Sequence, residues 1–201
     1  MIFSTRDQER VSNFYNSQIK SHGVNTPQGL SWISDETQKI RFKILTEIGS
    51  LDRKSVLDVG CGFGDLYQYL LGHYHEFSYT GIDIIPKMVE TAKKNFPLTK
   101  FIEMNYLQFQ TKKFDYIMAS GALTFMVEDY KSVYFSMIKK MYIDSKIGVA
   151  FNMLNQSYHK QDETFASYSP IEIKEFCLGI AEKVVLREDY LQGDFTVYLY
   201  H

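Results

Sequence analysis

The sequence predicts an α/β fold in which a doubly wound, mostly parallel sheet carries helices on both faces. From about residue 55 onward, short apolar runs alternate with amphipathic segments, which is typical of strands followed by crossover helices. A glycine-rich turn joins the first apolar run to a helical segment. Two final apolar runs flank Gln192, Gly193 and Asp194, and this pattern predicts an antiparallel C-terminal hairpin.

The elements can be predicted in chain order from periodicity and proline positions. Before the sheet, a helix is expected from about Glu36. Strands are predicted over 55–59, 79–83, 101–104, 115–120, 147–151, 184–190 and 195–200. Helices are predicted over 66–71, 86–96, 130–141 and 171–178. Pro86 and Pro170 suit the first helical turn, where a missing N–H costs nothing.

Length and composition favour one globular domain over 1–201, with an N-terminal helical cap over 1–50 and a core over 51–201. The 201 residues are 45% hydrophobic and 23% charged, so a self-sufficient core is expected. Only 12 Gly and 4 Pro are present, which excludes collagen-like and low-complexity classes. The 15 Phe, 15 Tyr and 1 Trp exceed what a core strictly needs.

Charge and targeting features exclude other classes of protein. Lys and Arg number 22 against 24 Asp and Glu, a net charge of −2, so no basic face for nucleic acid is expected. No apolar stretch suits a signal peptide or a membrane span. Cys61 and Cys177 are too few and too far apart for a metal site or a disulfide framework. These features predict a soluble, reduced, cytoplasmic protein without a metal.

Three glycines within five positions predict a ligand-binding turn. Gly60, Gly62 and Gly64 follow a strand and open a helix, and glycine lets backbone approach a ligand without Cβ interference. Asp83 ends the next strand, where a carboxylate can accept hydrogen bonds from both ribose hydroxyls. Together they predict a bound adenosine. The alternatives are a tight turn without a ligand, and an Asp83 that only caps the helix at Pro86.

The spacing and charge of this turn distinguish between adenosine ligands. Dinucleotide turns follow G-x-G-x-x-G, whereas this one is G-x-G-x-G with Asp58 two residues before it. A carboxylate there would repel a pyrophosphate and attract an ammonium and a sulfonium. The electrostatics therefore favour S-adenosylmethionine over NAD.

At these motifs the chain resembles the class I S-adenosylmethionine-dependent methyltransferases. The matching segments are VLDVGCGFGDL at 56–66, GIDIIPKMVETAKKNF at 81–96 and FDYIMASGAL at 114–123. Segments 31–45 and 184–201 are similar to those of small bacterial methyltransferases of the trans-aconitate-methyltransferase-like type. The resemblance implies a Rossmann-like sheet of seven strands, methyl transfer from S-adenosylmethionine, and S-adenosylhomocysteine as product.

The resemblance also implies a set of cofactor-binding residues. These are Arg41, Asp58, Gly60, Cys61, Gly62, Gly64, Asp83, Ile84, Asn105, Tyr106, Ala119 and Ser120. The glycine turn is expected along the methionine part of the cofactor, with Asp58 near its ammonium. Asp83 is expected on the ribose and Ile84 on the adenine, while Ala119 and Ser120 face the amino-acid end.

Two of these positions carry their own arguments. The family often has Asp after the third strand to accept from the adenine amino group; here Asn105 stands there, and its carbonyl can make the same contact. Gln38 and Arg41 share a helix face, so the guanidinium could bind the methionine carboxylate or simply be solvated. Trp32 could cover the cofactor or only pack.

Catalysis by positioning needs no dedicated base unless the acceptor loses a proton, and no catalytic residue is assigned. His22, His159, Tyr106 and Tyr168 are conceivable bases outside any motif. The sequence lacks the Asn/Asp-Pro-Pro-Tyr/Phe/Trp motif of the enzymes that methylate amino groups of DNA and proteins. This absence favours a small-molecule acceptor. Seven aromatic residues could either wall an apolar or planar acceptor pocket or only bury the helices that cover the sheet: Phe14, Tyr15, Trp32, Phe125, Tyr158, Phe165 and Tyr168.

Other functions stay open at this stage. The acceptor could be a protein or RNA, or the chain could bind the cofactor as a non-catalytic regulator. An NAD-dependent oxidoreductase is disfavoured by the spacing of the glycines and by Asp58. The residues leave the methylated atom and the oligomeric state undefined.

Overall fold

A seven-stranded mixed sheet forms the centre of the computed structural model, which describes residues 3–201. The strands are β1 (Lys54–Val59), β2 (Phe77–Asp83), β3 (Lys100–Glu103), β4 (Phe114–Ala119), β5 (Ser145–Leu154), β6 (Lys183–Arg187) and β7 (Asp194–Tyr200). Their order is β3-β2-β1-β4-β5-β7-β6. Neighbours pair in parallel except β7, which is antiparallel to both β5 and β6. The predicted fold class is confirmed.

Six helices flank the described sheet. They are α1 (Thr5–His22), α2 (Asp35–Thr46), α3 (Asp65–Leu71), α4 (Pro86–Asn95), α5 (Tyr130–Asp144) and α6 (Pro170–Leu178). Pro86 and Pro170 occupy the first turns of α4 and α6, as their missing N–H allows. No described helix has the length and apolarity that crossing a membrane requires.

Two apolar clusters hold the layers together, one on each face of the sheet. Alternate residues of β1 show the division, because Leu57 belongs to the cluster that includes residues of α1, α5 and α6, whereas Val56 belongs to the cluster that includes residues of α2 and α3. Phe63, Phe151 and Phe195 are fully buried, so much of the aromatic content serves the core. The result is a three-layer arrangement with the sheet in the middle.

The N-terminal helix α1 differs most from what the apolar pattern indicates. Its first residues are capped by Ser4, whose hydroxyl accepts the N–H of Asp7. Only Val11 and Ile19 among its apolar residues are buried. The pattern is therefore too sparse to locate an eighteen-residue helix in the sequence.

The direction of the strands brings several turns to one edge. Strand order reverses at β1, whose neighbours are β2 on one side and β4 on the other. Parallel strands that diverge in this way leave a crevice at their carboxyl ends. The turn after Val59, the turn after Asp83 and the turn after Ala119 all meet at this crevice.

Candidate active site

A cavity of about 1020 Å³, open space at its mouth included, lies at the carboxyl ends of β1, β2 and β4. Nine of the predicted cofactor-binding residues line it: Asp58, Gly60, Cys61, Gly62, Asp83, Ile84, Asn105, Tyr106 and Ser120. Gly64, Ala119 and Arg41 do not line it. Gly64 is the residue just before α3 and Ala119 ends β4, so both shape the turns behind the wall.

The glycine turn exposes backbone to this cavity. Gly62 has φ +53, and a Cβ there would lie 3.0 Å from Leu30 Cδ2. A side chain would therefore be strained and would crowd the residue opposite. The N–H groups of Gly60 and Cys61 both donate to the carbonyl of Ile82, at 2.8 and 3.1 Å. These bonds fix the turn against the end of β2.

Asp83 is held by the backbone on both sides of the cavity. Its two oxygens accept the N–H groups of Gly62, at 2.9 Å, and Ile85, at 3.0 Å. The side chain is buried, and each oxygen retains a lone pair for a further donor. The contact with Ile85 orders the turn into α4, so a turn-stabilising role and a ligand-binding role coexist.

Asp58 and Asp65 add two more carboxylates to the cavity wall. Burial raises the pKa of Asp58 to about 7, against the opposing hydrogen bond from the Tyr79 hydroxyl at 2.6 Å. Burial likewise raises the pKa of Asp65 to about 6, and its Oδ2 has no hydrogen-bond partner among the described residues. No Lys, Arg or His of the described chain lines the cavity. The wall is therefore suited to a cationic ligand.

Asp65 was not predicted as a site residue, because the sequence pattern does not show where a side chain in the first turn of a helix points. The glycine motif ends one position before it. Asp65 and Gln38 of α2 both line the cavity, so the Asp65 side chain lies on the side of α3 that faces α2. The proximity of α2 was the information that the motif lacked.

Arg41 has a different partner from the predicted cofactor carboxylate. Its Nε and Nη2 donate to the two oxygens of Asp194, at 3.2 and 2.5 Å, and its Nη1 donates to the Thr37 carbonyl at 3.1 Å. The Asp194 and Arg41 side chains are only 5% and 7% exposed. The guanidinium also lies 4.7 Å from the centre of the Trp32 ring. In this structure Arg41 is committed to the protein itself.

Asn105 caps the short 3₁₀ turn after β3. Its Oδ1 accepts the N–H of Leu107 at 3.0 Å, so the carbonyl that was expected to face adenine already has a donor. Its Nδ2 has no hydrogen-bond partner among the described residues, although Asn105 is only 7% exposed and lines the cavity. The unpartnered atom of Asn105 is a donor.

The other wall of the cavity is aromatic. Tyr15 from α1, Trp32 and Phe125 line it. Phe14 and Phe165 pack on Phe125, with ring centres 5.3 and 6.3 Å away, and support it from behind. Of the aromatic residues predicted for an acceptor pocket, Tyr15, Trp32 and Phe125 therefore reach the cavity.

Tyr158 and Tyr168 do not line the cavity. Tyr158 is 59% exposed, while Tyr168 is fully buried and donates to the Leu123 carbonyl at 2.9 Å. The indole of Trp32 lies against Gly121, where an added Cβ would lie 2.7 Å from the indole Cη2. The position of the indole therefore requires glycine there.

The conceivable bases are mostly engaged elsewhere. The Tyr106 hydroxyl donates to Asp144 at 2.9 Å, and the His159 ring packs on Gly193. His22 is exposed at the end of α1. Tyr15 lines the cavity, and burial followed by the charge of Asp83 raises its pKa, so its hydroxyl stays protonated.

Helix α1 covers this cavity. Phe3, Val11 and Tyr15 are part of the lining, and the buried Asp7 fastens the helix to the loop after β4. Asp7 Oδ1 accepts the N–H of Glu128 at 3.0 Å, and Arg10 donates to the Glu163 carbonyl at 3.4 Å. An element outside the sheet thus covers part of the cavity.

Comparison with known proteins gives a consistent result. A family model described as a methyltransferase domain matches residues 56–141. The Mycobacterium tuberculosis (strain ATCC 25618 / H37Rv) protein Rv1506c, named as a methyltransferase, is 26% identical over 159 residues, 75% of this chain and 95% of that protein. A trans-aconitate 2-methyltransferase of Enterobacter sp. (strain 638) is 33% identical over 89 residues, 44% of this chain. The match covers 35% of that enzyme's length.

The fold has close counterparts among solved structures. Magnesium protoporphyrin IX methyltransferase from Synechocystis PCC 6803, crystallised with bound S-adenosylmethionine, superimposes with a TM-score of 0.71. The superposition covers 100% of both chains at 14% identity, so the similarity is one of fold. The matching domain model, the curated relatives and the shared fold together support a class I S-adenosylmethionine-dependent methyltransferase.

Proposed function

We propose that this methyltransferase transfers the methyl group to a small, largely apolar acceptor held in the cavity under α1. One observation carries the proposal: a single cavity combines a carboxylate-rich glycine edge with an aromatic wall. The first part suits the cofactor, and the second suits an acceptor that buries apolar surface. A small molecule fits in the space beneath α1.

The residues on the glycine edge fit S-adenosylmethionine. Asp58 lies in the wall as a buried carboxylate, and no cationic side chain of the described residues lines the cavity with it; the ligand's ammonium would supply the opposite charge. Asp83 has lone pairs left for ribose hydroxyls, and the Gly62 backbone offers a surface free of side chains. Ile84 and Tyr106 would border the adenine, and Ser120 would face the amino-acid end.

When bound, the cofactor supplies a methyl group on a positively charged sulfur. The chain's own contribution is positioning and exclusion of water, which is the main requirement for an in-line displacement. Tyr15, Trp32 and Phe125 would hold the acceptor against the cofactor edge. A protonated Tyr15 hydroxyl can donate a hydrogen bond that orients an acceptor heteroatom.

Binding of S-adenosylhomocysteine, measured by calorimetry, tests the cofactor site. We expect Asp83→Ala to weaken binding roughly 10- to 100-fold, since a buried carboxylate hydrogen-bonded to ribose is lost. Asp83→Asn keeps an acceptor for one backbone N–H and controls for local unfolding. Failure of the unmodified protein to bind would contradict the proposal.

The acceptor class is tested separately with a labelled methyl donor. The protein is incubated with a cell extract that has been divided by ultrafiltration into small molecules and macromolecules. Label transferred in the small-molecule fraction supports the proposal. Label in protein or RNA would replace the proposed acceptor, and tight cofactor binding without any transfer would favour a non-catalytic regulator.

A further inference from the structure

The cavity wall combines carboxylates with aromatic rings, and this combination selects among methyl acceptors. We propose that the acceptor is a small organic amine, which is positively charged at neutral pH, and that its nitrogen receives the methyl group. The inference rests on the proposed function and specifies the substrate class of the same site. It excludes carboxylic acids as acceptors.

The charged side chains that line the cavity all have one sign. Asp58, Asp65 and Asp83 are carboxylates, and no Lys, Arg or His among residues 3–201 lines the cavity with them. S-adenosylmethionine carries an ammonium, a sulfonium and one carboxylate, so its single net positive charge balances only one of the three. Like charges repel more strongly in a site with little water. An anionic acceptor would add to this excess of negative charge, whereas a cation would reduce it.

Two aromatic side chains of the same cavity have no cation of the protein against them. Tyr15 on α1 and Phe125 in the loop after β4 line the cavity, with ring centres 6.2 Å apart and ring planes tilted by 41°. Trp32 differs from them, because the guanidinium of Arg41 already lies 4.7 Å from its ring centre. Among the described residues no Lys or Arg takes that position over Tyr15 or Phe125. Their ring surfaces in the cavity can therefore attract a ligand cation.

Neighbouring residues hold these two rings in place. The ring of Phe14 packs against both, with its centre 5.1 Å from that of Tyr15 and 5.3 Å from that of Phe125. The hydroxyl of Tyr134 donates to the Phe125 carbonyl at 2.6 Å and fixes the backbone there. Little side-chain freedom is left to lose when a ligand binds, which favours affinity.

The charge changes during methyl transfer favour nitrogen in such a wall. The amine binds as an ammonium and releases one proton to water. Its lone pair then forms the N–C bond, while the C–S bond breaks and leaves its electron pair on sulfur. The positive charge is kept and moves to nitrogen, where aromatic rings and carboxylates continue to stabilise it. Transfer to a carboxylate oxygen would instead cancel the charge.

The chemistry of the labelled product tests this inference. The protein is incubated with a labelled methyl donor and the small-molecule fraction of a cell extract, and the unreacted donor is removed by chromatography. We expect the label to bind a cation exchanger at pH 7 and to survive mild alkali, as an N-methyl group does. Label in a neutral or anionic product, or in an alkali-labile methyl ester, would overturn the inference and leave the proposed function intact. Absence of any transfer would overturn both.

Two variants of Tyr15 test the role of the ring. Tyr15→Phe and Tyr15→Leu both lack the hydroxyl, and only the first keeps a π face. With the amine purified from the labelling experiment, we expect KM in Tyr15→Leu to be roughly tenfold above KM in Tyr15→Phe. Equal affinity of the two variants for S-adenosylhomocysteine, together with equal thermal unfolding, shows that the site is folded in both. Equal KM values would overturn the inference.

A matched pair of competitors separates charge from packing. At pH 7, 2-phenylethylamine is a cation, whereas 2-phenylethanol has a similar shape and no charge. We expect the amine to inhibit methyl transfer in the unmodified protein roughly tenfold more strongly than the alcohol, and this preference to shrink in Tyr15→Leu. Equal inhibition by the two compounds would mean that the wall selects shape alone and would overturn the inference.

Discussion

The carboxylate of Asp58 couples the cavity to proton concentration. Burial disfavours the charged form and raises the Asp58 pKa to about 7. The hydrogen bond from Tyr79 opposes this rise, and the charge of the nearby Asp83 adds to it. The ligand-free protein therefore retains a proton that the unfolded chain releases near pH 4. This contribution to stability is present below about pH 4 and is lost as the pH rises toward 7.

A cationic ligand should offset the cost of burying the charged Asp58 carboxylate. Between pH 5.5 and 7, each unit of acidification lowers the ionised fraction of Asp58 by up to about tenfold, so the affinity for S-adenosylmethionine should fall by up to roughly tenfold per unit. Above pH 7 the dependence should level off. Calorimetric titrations at half-unit intervals measure this profile.

Asp58→Asn is the matched variant for this profile. It keeps the size of the side chain and should flatten the dependence to the part contributed by Asp65, whose pKa is about 6. The affinity at pH 7.5 should fall at the same time, since one opposite charge is gone. An unchanged slope in the variant would show that another group binds the ammonium.

For individual residues, the motifs predicted the place in the fold better than the hydrogen-bond or ion-pair partner. Asp58, Gly62 and Asp83 lie where the motif and strand ends indicate, because chain direction alone brings them to one edge. Arg41 could not be paired with Asp194 from sequence, since the two are separated by 153 positions. The orientation of the Asn105 amide is set by the backbone N–H of Leu107, two residues away, and the sequence does not show this contact.

Among the elements, α2 and β7 are joined by the buried Arg41–Asp194 pair. Burial raises the pKa of Asp194 and the guanidinium opposes that rise. We expect Arg41→Met to lower the free energy of unfolding by about 3–5 kcal/mol, because the variant leaves a buried carboxylate without its partner. Urea unfolding at pH 7 measures the loss.

The double variant Arg41→Met/Asp194→Leu tests the reason for that loss. Replacing both charges with apolar side chains of similar size should restore most of the stability, since no uncompensated charge remains. The exposed pair between Lys39 and Asp35, both 61% exposed, provides the control: Lys39→Met should change stability by less than about 1 kcal/mol. Equal losses in the single and double variants would contradict the explanation.

Element types were well predicted where periodicity was strong, and boundaries were less so. The predicted strand over 184–190 ends at Arg187, because its last ladder partner is Thr196. β5 is longer than predicted, extending to Leu154 through its pairing with Asp194. Helix α1 has few buried apolar residues, so tertiary contacts rather than an apolar stripe define it.

On the scale of the whole molecule, α1 covers part of the cavity, with Val11 and Tyr15 in its lining. If ligands pass beneath it, loosening its attachment should accelerate their release. Asp7→Ala removes the bond to the Glu128 N–H, and we expect roughly tenfold faster dissociation of S-adenosylhomocysteine. Stopped-flow displacement measures the rate, and hydrogen exchange over 5–22 should become faster in the same variant.

Asp35→Ala is the control for this experiment, because that carboxylate is exposed on α2 and does not line the cavity. It should leave both the dissociation rate and the exchange of α1 unchanged. Faster exchange in Asp7→Ala with an unchanged dissociation rate would mean that ligands leave by another route.

The place of Trp32 has a practical consequence. It is the sole tryptophan of the chain, and its indole borders the cavity between the Arg41 guanidinium and Gly121. Any ligand that displaces water from that ring changes the polarity around the only strong ultraviolet emitter in the protein. The enzyme thus carries its own optical reporter, and cofactor and acceptor candidates can be screened in solution without a label.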